Sequence, residues 1–125
     1  MSGRITHFEI PYDDGDRARA FYGEAFGWTT ESPPGLDYTF VGTGPVDENG
    51  MPTEPGYIGG GMFPRSGESS GPSVVVEVDS IDDALATIER LGGTKLDDRT
   101  PVGDMGFASR FRDTEGNVIG LWENA

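Results

Sequence analysis

Residues 5–31 read ITHFEIPYDDGDRARAFYGEAFGWTTE and predict a strand, a helix and a second strand, in that order. The first strand is expected over residues 5–10, which form an extended apolar run. The helix follows the acids Asp14 and Asp16, either of which can cap its N-terminus. It ends at Gly27, because glycine is the residue type that helix C-termini favour. The second strand begins directly after this glycine.

A second stretch repeats this pattern at a constant spacing. Residues 73–97 read SVVVEVDSIDDALATIERLGGTKLD. Asp82 follows Asp16 by 66 residues, and Gly93 follows Gly27 by the same number. The two stretches therefore predict a duplicated structural unit. The candidate caps of the second helix are Ser80 and Asp82.

Both predicted helices are amphipathic, because their apolar residues recur at the spacing of one helical face. These residues are Ala18, Phe21, Tyr22, Ala25 and Phe26 in the first helix and Ile81, Leu85, Ile88 and Leu91 in the second. Side chains alternate between the two faces of a strand. We therefore expect Val74, Val76 and Val78 to face the second helix.

Each half continues with further strands, which are expected at residues 36–41, 57–63, 105–111 and 118–122. The order is β-α-β-β-β in both halves, which predicts an α+β fold. We expect one domain over residues 1–125, with module one at about 4–63, a linker at about 64–72 and module two at about 73–123.

The charge balance excludes several classes of partner. The chain carries 22 acidic and 9 basic residues, for a formal net charge of −13. Nucleic acids and anionic membranes bind basic patches, so neither is an expected partner. Self-repulsion at this charge destabilises the folded state unless salt screens it. The composition thus suggests a halophilic protein, or simply a solvated acidic surface.

The chain contains no cysteine, which rules out disulfides, thiolate zinc sites and thiol nucleophiles. The N-terminal residues form no apolar signal-peptide core, and no apolar stretch approaches the length of a membrane span. The expected location is the cytoplasm.

Five short motifs together resemble the vicinal oxygen chelate superfamily, which includes glyoxalase I, bleomycin-resistance proteins and extradiol dioxygenases. They are Ile5-Thr6-His7-Phe8, Arg19-Ala20-Phe21-Tyr22, Phe26-Gly27-Trp28, Val78-Asp79-Ser80-Ile81 and Asp113-Thr114-Glu115-Gly116-Asn117. The resemblance implies an open, barrel-like mixed sheet with the helices outside, a pocket enclosed by the modules, and a homodimer.

In metal-dependent members of that superfamily, four side chains hold a divalent ion, one on the first and one on the last strand of each module. By resemblance, His7 matches the first of these positions and Ser73 the third, while Gly120 falls at the fourth. The second lies within the glycine run of residues 59–61. Because a lone imidazole does not hold a divalent ion, we expect no metal and no other cofactor. The alternative is a metal held by a replacement set of His7, Glu9 and Glu77.

Six residues are candidates for the binding of a small molecule. His7 and Glu9 share one face of the first strand and are also the candidate catalytic pair. Gly120 leaves space beside the indole of Trp122, which suits a flat ligand. The full set is His7, Glu9, Tyr38, Glu77, Gly120 and Trp122.

The first hypothesis for function is a metal-free pocket for a small, aromatic or apolar organic molecule. The second is a lyase, isomerase or dioxygenase-type enzyme that uses a divalent metal or a His7/Glu9 acid–base pair. The third is a structural or regulatory dimer with a vestigial pocket.

Overall fold

The computed structural model describes residues 3–67 and 71–125, which contain two helices and nine strands. In chain order these elements are β1 (Ile5–Tyr12), α1 (Gly15–Phe26), β2 (Thr29–Glu31), β3 (Thr39–Gly42), β4 (Gly59–Pro64), β5 (Ser73–Glu77), α2 (Ile81–Arg90), β6 (Thr94–Lys95), β7 (Thr100–Val102), β8 (Gly106–Arg112) and β9 (Val118–Asn124). The prediction of an α+β fold is confirmed. The short strand β7 was not predicted.

The chain forms two compact units, which are described one at a time. The first unit is His7–Pro72, and the second is Ser73–Ala125 together with the chain before His7. In the first unit the strand order is β2-β3-β4-β1, with β1 parallel to β4 and the other pairs antiparallel. Its interior contains the buried side chains of Thr39, Val41 and Met62.

The second unit has the strand order β5-β9-β8-β6, and β7 also pairs with β8. Within the described residues, β5 and β9 form the one parallel strand pair of this unit, and its other pairs are antiparallel. Its core is formed by Ile81, Leu85 and Leu121, and Val76 and Val78 pack against it. The prediction that Val76 and Val78 face the second helix is confirmed, and that for Val74 stays a prediction.

The structure shows which of the candidate residues cap the N-termini of the two helices. The side chain of Asp14 accepts the N–H of Arg17 at 3.0 Å, and that of Ser80 accepts the N–H of Asp83 at 3.1 Å. Asp14 and Ser80 are themselves 66 residues apart, so the repeat extends to the caps. Gly27 ends α1 in the left-handed conformation, with φ of 73°, as predicted.

The apolar face of α1 is less covered than its pattern predicts. No residue of α1 is buried, and Phe21 and Phe26 are 61% and 64% exposed. Instead, the rings pack on one another and on Trp28, whose ring stacks on Tyr22 with centroids 4.9 Å apart. Periodicity identifies the residues that share a helical face but not what covers that face.

Most strand boundaries differ from the predictions by one or two residues, and two differences are described in detail. The strand expected at residues 36–41 begins only at Thr39, because the chain turns between Pro34 and Asp37, and Tyr38 lies between that turn and the strand. The expected linker overlaps the end of β4 at Pro64, and residues 68–70 of it lie outside the described residues. No helix in the described part of the chain is long and apolar enough to cross a membrane.

Candidate functional site

The predicted site residues divide between the two units. His7, Glu9 and Tyr38 belong to the first unit, whereas Glu77, Gly120 and Trp122 belong to the second. The contacts of each group are therefore described separately.

The glycine run of β4 makes room for aromatic rings on both faces of the strand. Gly60 is paired with Phe8, and a Cβ atom at Gly60 would come within 2.5 Å of the Phe8 ring. Gly61 is paired with Glu9 on one side and with Phe40 on the other. A Cβ atom at Gly61 would overlap the hydroxyl of Tyr38. Because neither glycine has a side chain, an aromatic residue can approach the backbone of β4 closely from each face of the strand.

A hydrogen-bonded chain joins the three predicted residues of the first unit. His7 Nε2 lies 2.7 Å from the hydroxyl of Tyr38. The same hydroxyl donates to Glu9 Oε2 at 3.3 Å. The rings of His7 and Tyr38 are inclined by only 14°, with centroids 6.5 Å apart. The structure thus brings His7, Glu9 and Tyr38 together, with the phenol between the two ionisable groups.

Burial has the largest influence on the protonation of His7 and Tyr38. It lowers the pKa of His7, which favours the neutral imidazole at neutral pH. Burial, and then the negative charge and hydrogen bond of Glu9, raise the pKa of Tyr38. The phenol therefore keeps its proton and can act as a hydrogen-bond donor.

Two further rings lie beside the Tyr38 phenol. Phe63 stacks on Tyr38, with planes inclined by 2° and centroids 6.3 Å apart, and Phe40 meets it edge-on at 5.1 Å. Phe63 was not among the predicted site residues. Its position two residues after Gly61 places it on the same face of β4, so period-two counting from the glycine was the available signal.

A second chain of hydrogen bonds joins two of the three predicted residues of the second unit, Trp122 and Glu77. The indole N–H of Trp122 donates to Asn124 Oδ1 at 2.8 Å, and Asn124 Nδ2 donates to Glu77 Oε1 at 2.9 Å. Asn124 was missed, although its spacing of two from Trp122 places it on the same strand face. At Gly120, an added Cβ atom would lie 3.0 Å from a methyl group of Val75, the paired residue on β5. Val75 therefore fills part of the space predicted there.

The residues at the four expected ligand positions do not fit a divalent ion. Among the described residues, no group of three or more His, Cys, Asp or Glu side chains is placed to hold one. The hydroxyl of Ser73 donates to the carbonyl of Val118 at 2.8 Å. Neither Gly61 nor Gly120 offers a ligand atom, and Tyr38 takes the space over Gly61.

Comparisons with known proteins agree with this architecture. The family described as bleomycin resistance protein-like N-terminal matches residues 4–44. A glyoxylase-like domain-containing protein of Didymella fabae is 31% identical over 127 residues, which cover 94% of this chain and 91% of that protein. The chain belongs to the vicinal oxygen chelate superfamily.

Solved structures share the fold of this superfamily member. A selenomethionine methylmalonyl-CoA epimerase matches with a TM-score of 0.63 and 19% identity, over 100% of this chain and 98% of that one. A variant of the Streptomyces coelicolor epimerase, in complex with 2-nitronate-propionyl-CoA, has a TM-score of 0.66 and 19% identity over 100% and 96%. A hypothetical protein of Bacillus halodurans has a TM-score of 0.67 and 14% identity over 100% and 96%.

Proposed function

We propose that this superfamily member binds a small apolar or aromatic organic molecule without a metal ion. The observation that carries the proposal is the position of Tyr38. Its hydroxyl occupies the space that a side chain at Gly61 would need and is hydrogen-bonded to His7 Nε2. One nitrogen of the sole imidazole is thereby engaged by a phenol.

The surroundings of this phenol support an aromatic ligand. Tyr38, Phe40 and Phe63 place three rings beside one hydrogen-bonding group. A ligand that loses roughly 200 Å² of apolar surface gains about 5 kcal/mol at 25 cal/mol per Å². One neutral hydrogen bond contributes about 1 kcal/mol. Apolar contact therefore supplies most of the affinity, and His7 and Tyr38 supply orientation.

The first test is the metal content of protein purified without chelators at high salt. Less than about a tenth of an equivalent of Ni, Zn, Mn, Fe or Co per protein chain supports the proposal, since a preformed metal site binds its ion tightly. Near-stoichiometric metal that His7→Ala abolishes would overturn it. Glu24→Gln, an exposed substitution on α1, is a matched control for purification.

The second test is a thermal-shift screen with planar aromatic compounds. We expect compounds that stabilise the wild type to lose their effect in Phe40→Ala. They should keep it in Phe21→Ala, which removes an exposed ring on α1. A broad screen without any stabilising compound would favour a vestigial pocket instead.

The hydrogen-bonded chain favours a second candidate, a metal-free enzyme that moves protons with His7 and Glu9. A neutral imidazole linked through Tyr38 to a carboxylate has the components of a general base. The discriminating measurement is turnover of the compounds found in the screen. Loss of turnover in His7→Ala with ligand binding retained supports the enzyme, and the absence of turnover in the wild type excludes it for those compounds.

The proposal extends to the solution state, which we take to be a homodimer in a salt-rich cytoplasm. The net charge of −13 supports the dependence on salt, because screening relieves repulsion between the acids. We expect the melting temperature and the dimer fraction, measured by light scattering, to rise with KCl concentration. A melting temperature independent of KCl would contradict this part.

A further inference from the structure

We infer that His7 receives its ligand at Nδ1, as the acceptor of a hydrogen bond from an N–H or O–H group on an otherwise apolar molecule. The inference rests on the proposed function, because it specifies the polar group of the same ligand. It assigns to Tyr38 and Glu9 the role of positioning residues, which fix the tautomer of the imidazole.

The directions of the two hydrogen bonds made by the Tyr38 hydroxyl follow from the strengths of the possible acceptors. The Tyr38 hydroxyl has one proton to donate and lies within hydrogen-bond distance of both His7 Nε2 and Glu9 Oε2. A charged carboxylate is a stronger acceptor than a neutral imidazole nitrogen. The phenol therefore donates to Glu9 and must accept at its 2.7 Å contact with His7.

That order fixes the tautomer of His7. If the phenol oxygen accepts, Nε2 must carry the imidazole proton. A neutral imidazole has only one N–H, so Nδ1 carries a lone pair. The neutral form is the one favoured here, because burial lowers the pKa of His7. His7 is therefore set up as an acceptor at the nitrogen that does not touch Tyr38.

The same nitrogen is not fully buried. Among the residues that the structure describes, the hydrogen bond to Tyr38 is the one made by the His7 side chain. No buried side-chain nitrogen or oxygen in this part of the chain lacks a partner. His7 Nδ1 has no such partner and hence must retain contact with solvent.

This arrangement discriminates between apolar ligands. A ligand with a donor group replaces the water at Nδ1, while one without a donor buries the lone pair with no partner. Leaving a polar atom unpaired weakens binding by about tenfold or more. A phenol and its methyl ether differ in this donor alone, so they are suitable probes.

The experiment uses ¹⁵N NMR of the full chain labelled at histidine. Because His7 is the only histidine, every imidazole signal comes from this site. We expect protein without added ligand to show the Nε2-protonated tautomer. Phenol should then shift the Nδ1 resonance toward that of a hydrogen-bonded acceptor, and anisole should not. The Nδ1-protonated tautomer, or an equal or absent response to the two probes, would overturn the inference.

Two variants test the roles of the positioning residues. Tyr38→Phe keeps the ring and removes the hydroxyl, so the tautomer ratio should change by about tenfold, as for the loss of one hydrogen bond. Glu9→Gln removes the charged acceptor and should change the ratio in the same direction, which covers the case in which Tyr38→Phe does not fold. An unchanged ratio in a folded variant would refute the inference.

The tautomer is measured without any ligand, so the outcome is independent of the metal and screening tests. Metal-free protein in which His7 is protonated at Nδ1 would overturn this inference alone. A metal-loaded chain would overturn the proposed function.

Discussion

The two units carry a glycine at an equivalent point of their sheets, but they fill the space beside it in different ways. At Gly61 the neighbour is the hydroxyl of Tyr38, whereas at Gly120 it is a methyl group of Val75. The first arrangement places a hydrogen-bonding phenol beside His7, and the second places an apolar contact between paired strands. The space beside the glycine is thus taken by a polar group in one unit and by an apolar contact in the other.

The helices of the two units differ in a similar way. Both are capped at equivalent positions, Asp14 and Ser80. Yet α2 buries Ile81 and Leu85, whereas α1 buries no residue and exposes an aromatic face. We therefore expect the second unit to carry more of the stability and the first unit to carry the ligand chemistry.

The largest expected effect contrasts the two helix faces. Leu85→Ala should lower the free energy of unfolding by about 3 kcal/mol, because Leu85 is 4% exposed and its loss leaves a cavity in the core. Phe21→Ala removes a larger side chain but should cost only about 0.5 kcal/mol, as is usual for exposed positions. Urea unfolding at high salt measures both. A Phe21→Ala cost equal to that of Leu85→Ala would show that something covers the face of α1.

The next effect contrasts the two glycines. Gly61→Ala should cost about 2 kcal/mol, because its Cβ atom overlaps the Tyr38 hydroxyl and overpacking at a buried site is destabilising. Gly120→Ala should cost less, since the added Cβ meets a Val75 methyl at 3.0 Å and a small shift relieves the contact. The same unfolding assay applies. Equal costs would mean that Tyr38 does not occupy the space over Gly61.

The sequence predicted those features of the molecule that depend on local periodicity. The spacing of 66 residues predicted a duplicated unit, local pattern reduced each helix cap to two candidates, and period two placed Val76 and Val78 on the helix side of β5. Alternation also placed Glu9 and His7 on one face of β1. These predictions needed only the geometry of a single strand or helix.

The contact between Tyr38 and Gly61 could not be predicted in the same way. It depends on the register between β3 and β4, which pairs Phe40 with Gly61, and on the turn that precedes Tyr38. Register is a property of two strands and of the loop between them. For the same reason the sequence predicted a phenol near the site but not its place between His7 and Glu9.

A smaller effect contrasts the two helix caps. Ser80→Ala should cost about 1 kcal/mol, the usual loss when an N-cap side chain is removed. Asp14→Ala should cost about half as much by the same measure, since unfolding the first turn of α1 exposes no buried side chain. Thermal unfolding of the two variants at equal salt concentration measures the difference. A greater loss in Asp14→Ala would contradict the assignment of stability to the second unit.

The smallest effect concerns pH and isolates His7 in the first unit. Burial lowers the pKa of His7 in the folded chain below 6.5, so between that lowered value and 6.5 the unfolded chain binds more protons. The contribution of neutral His7 to the free energy of unfolding should therefore be fully present above pH 6.5. It should fall as the pH decreases from 6.5 toward the pKa of the folded state. His7→Gln should flatten this part of the curve, while Glu24→Gln, on the exposed surface of α1, should leave it unchanged. Unfolding free energies measured between pH 8 and pH 5.5 decide the point. If the wild type and His7→Gln show the same slope, then His7 does not titrate as a buried imidazole, and burial does not hold it in the neutral state.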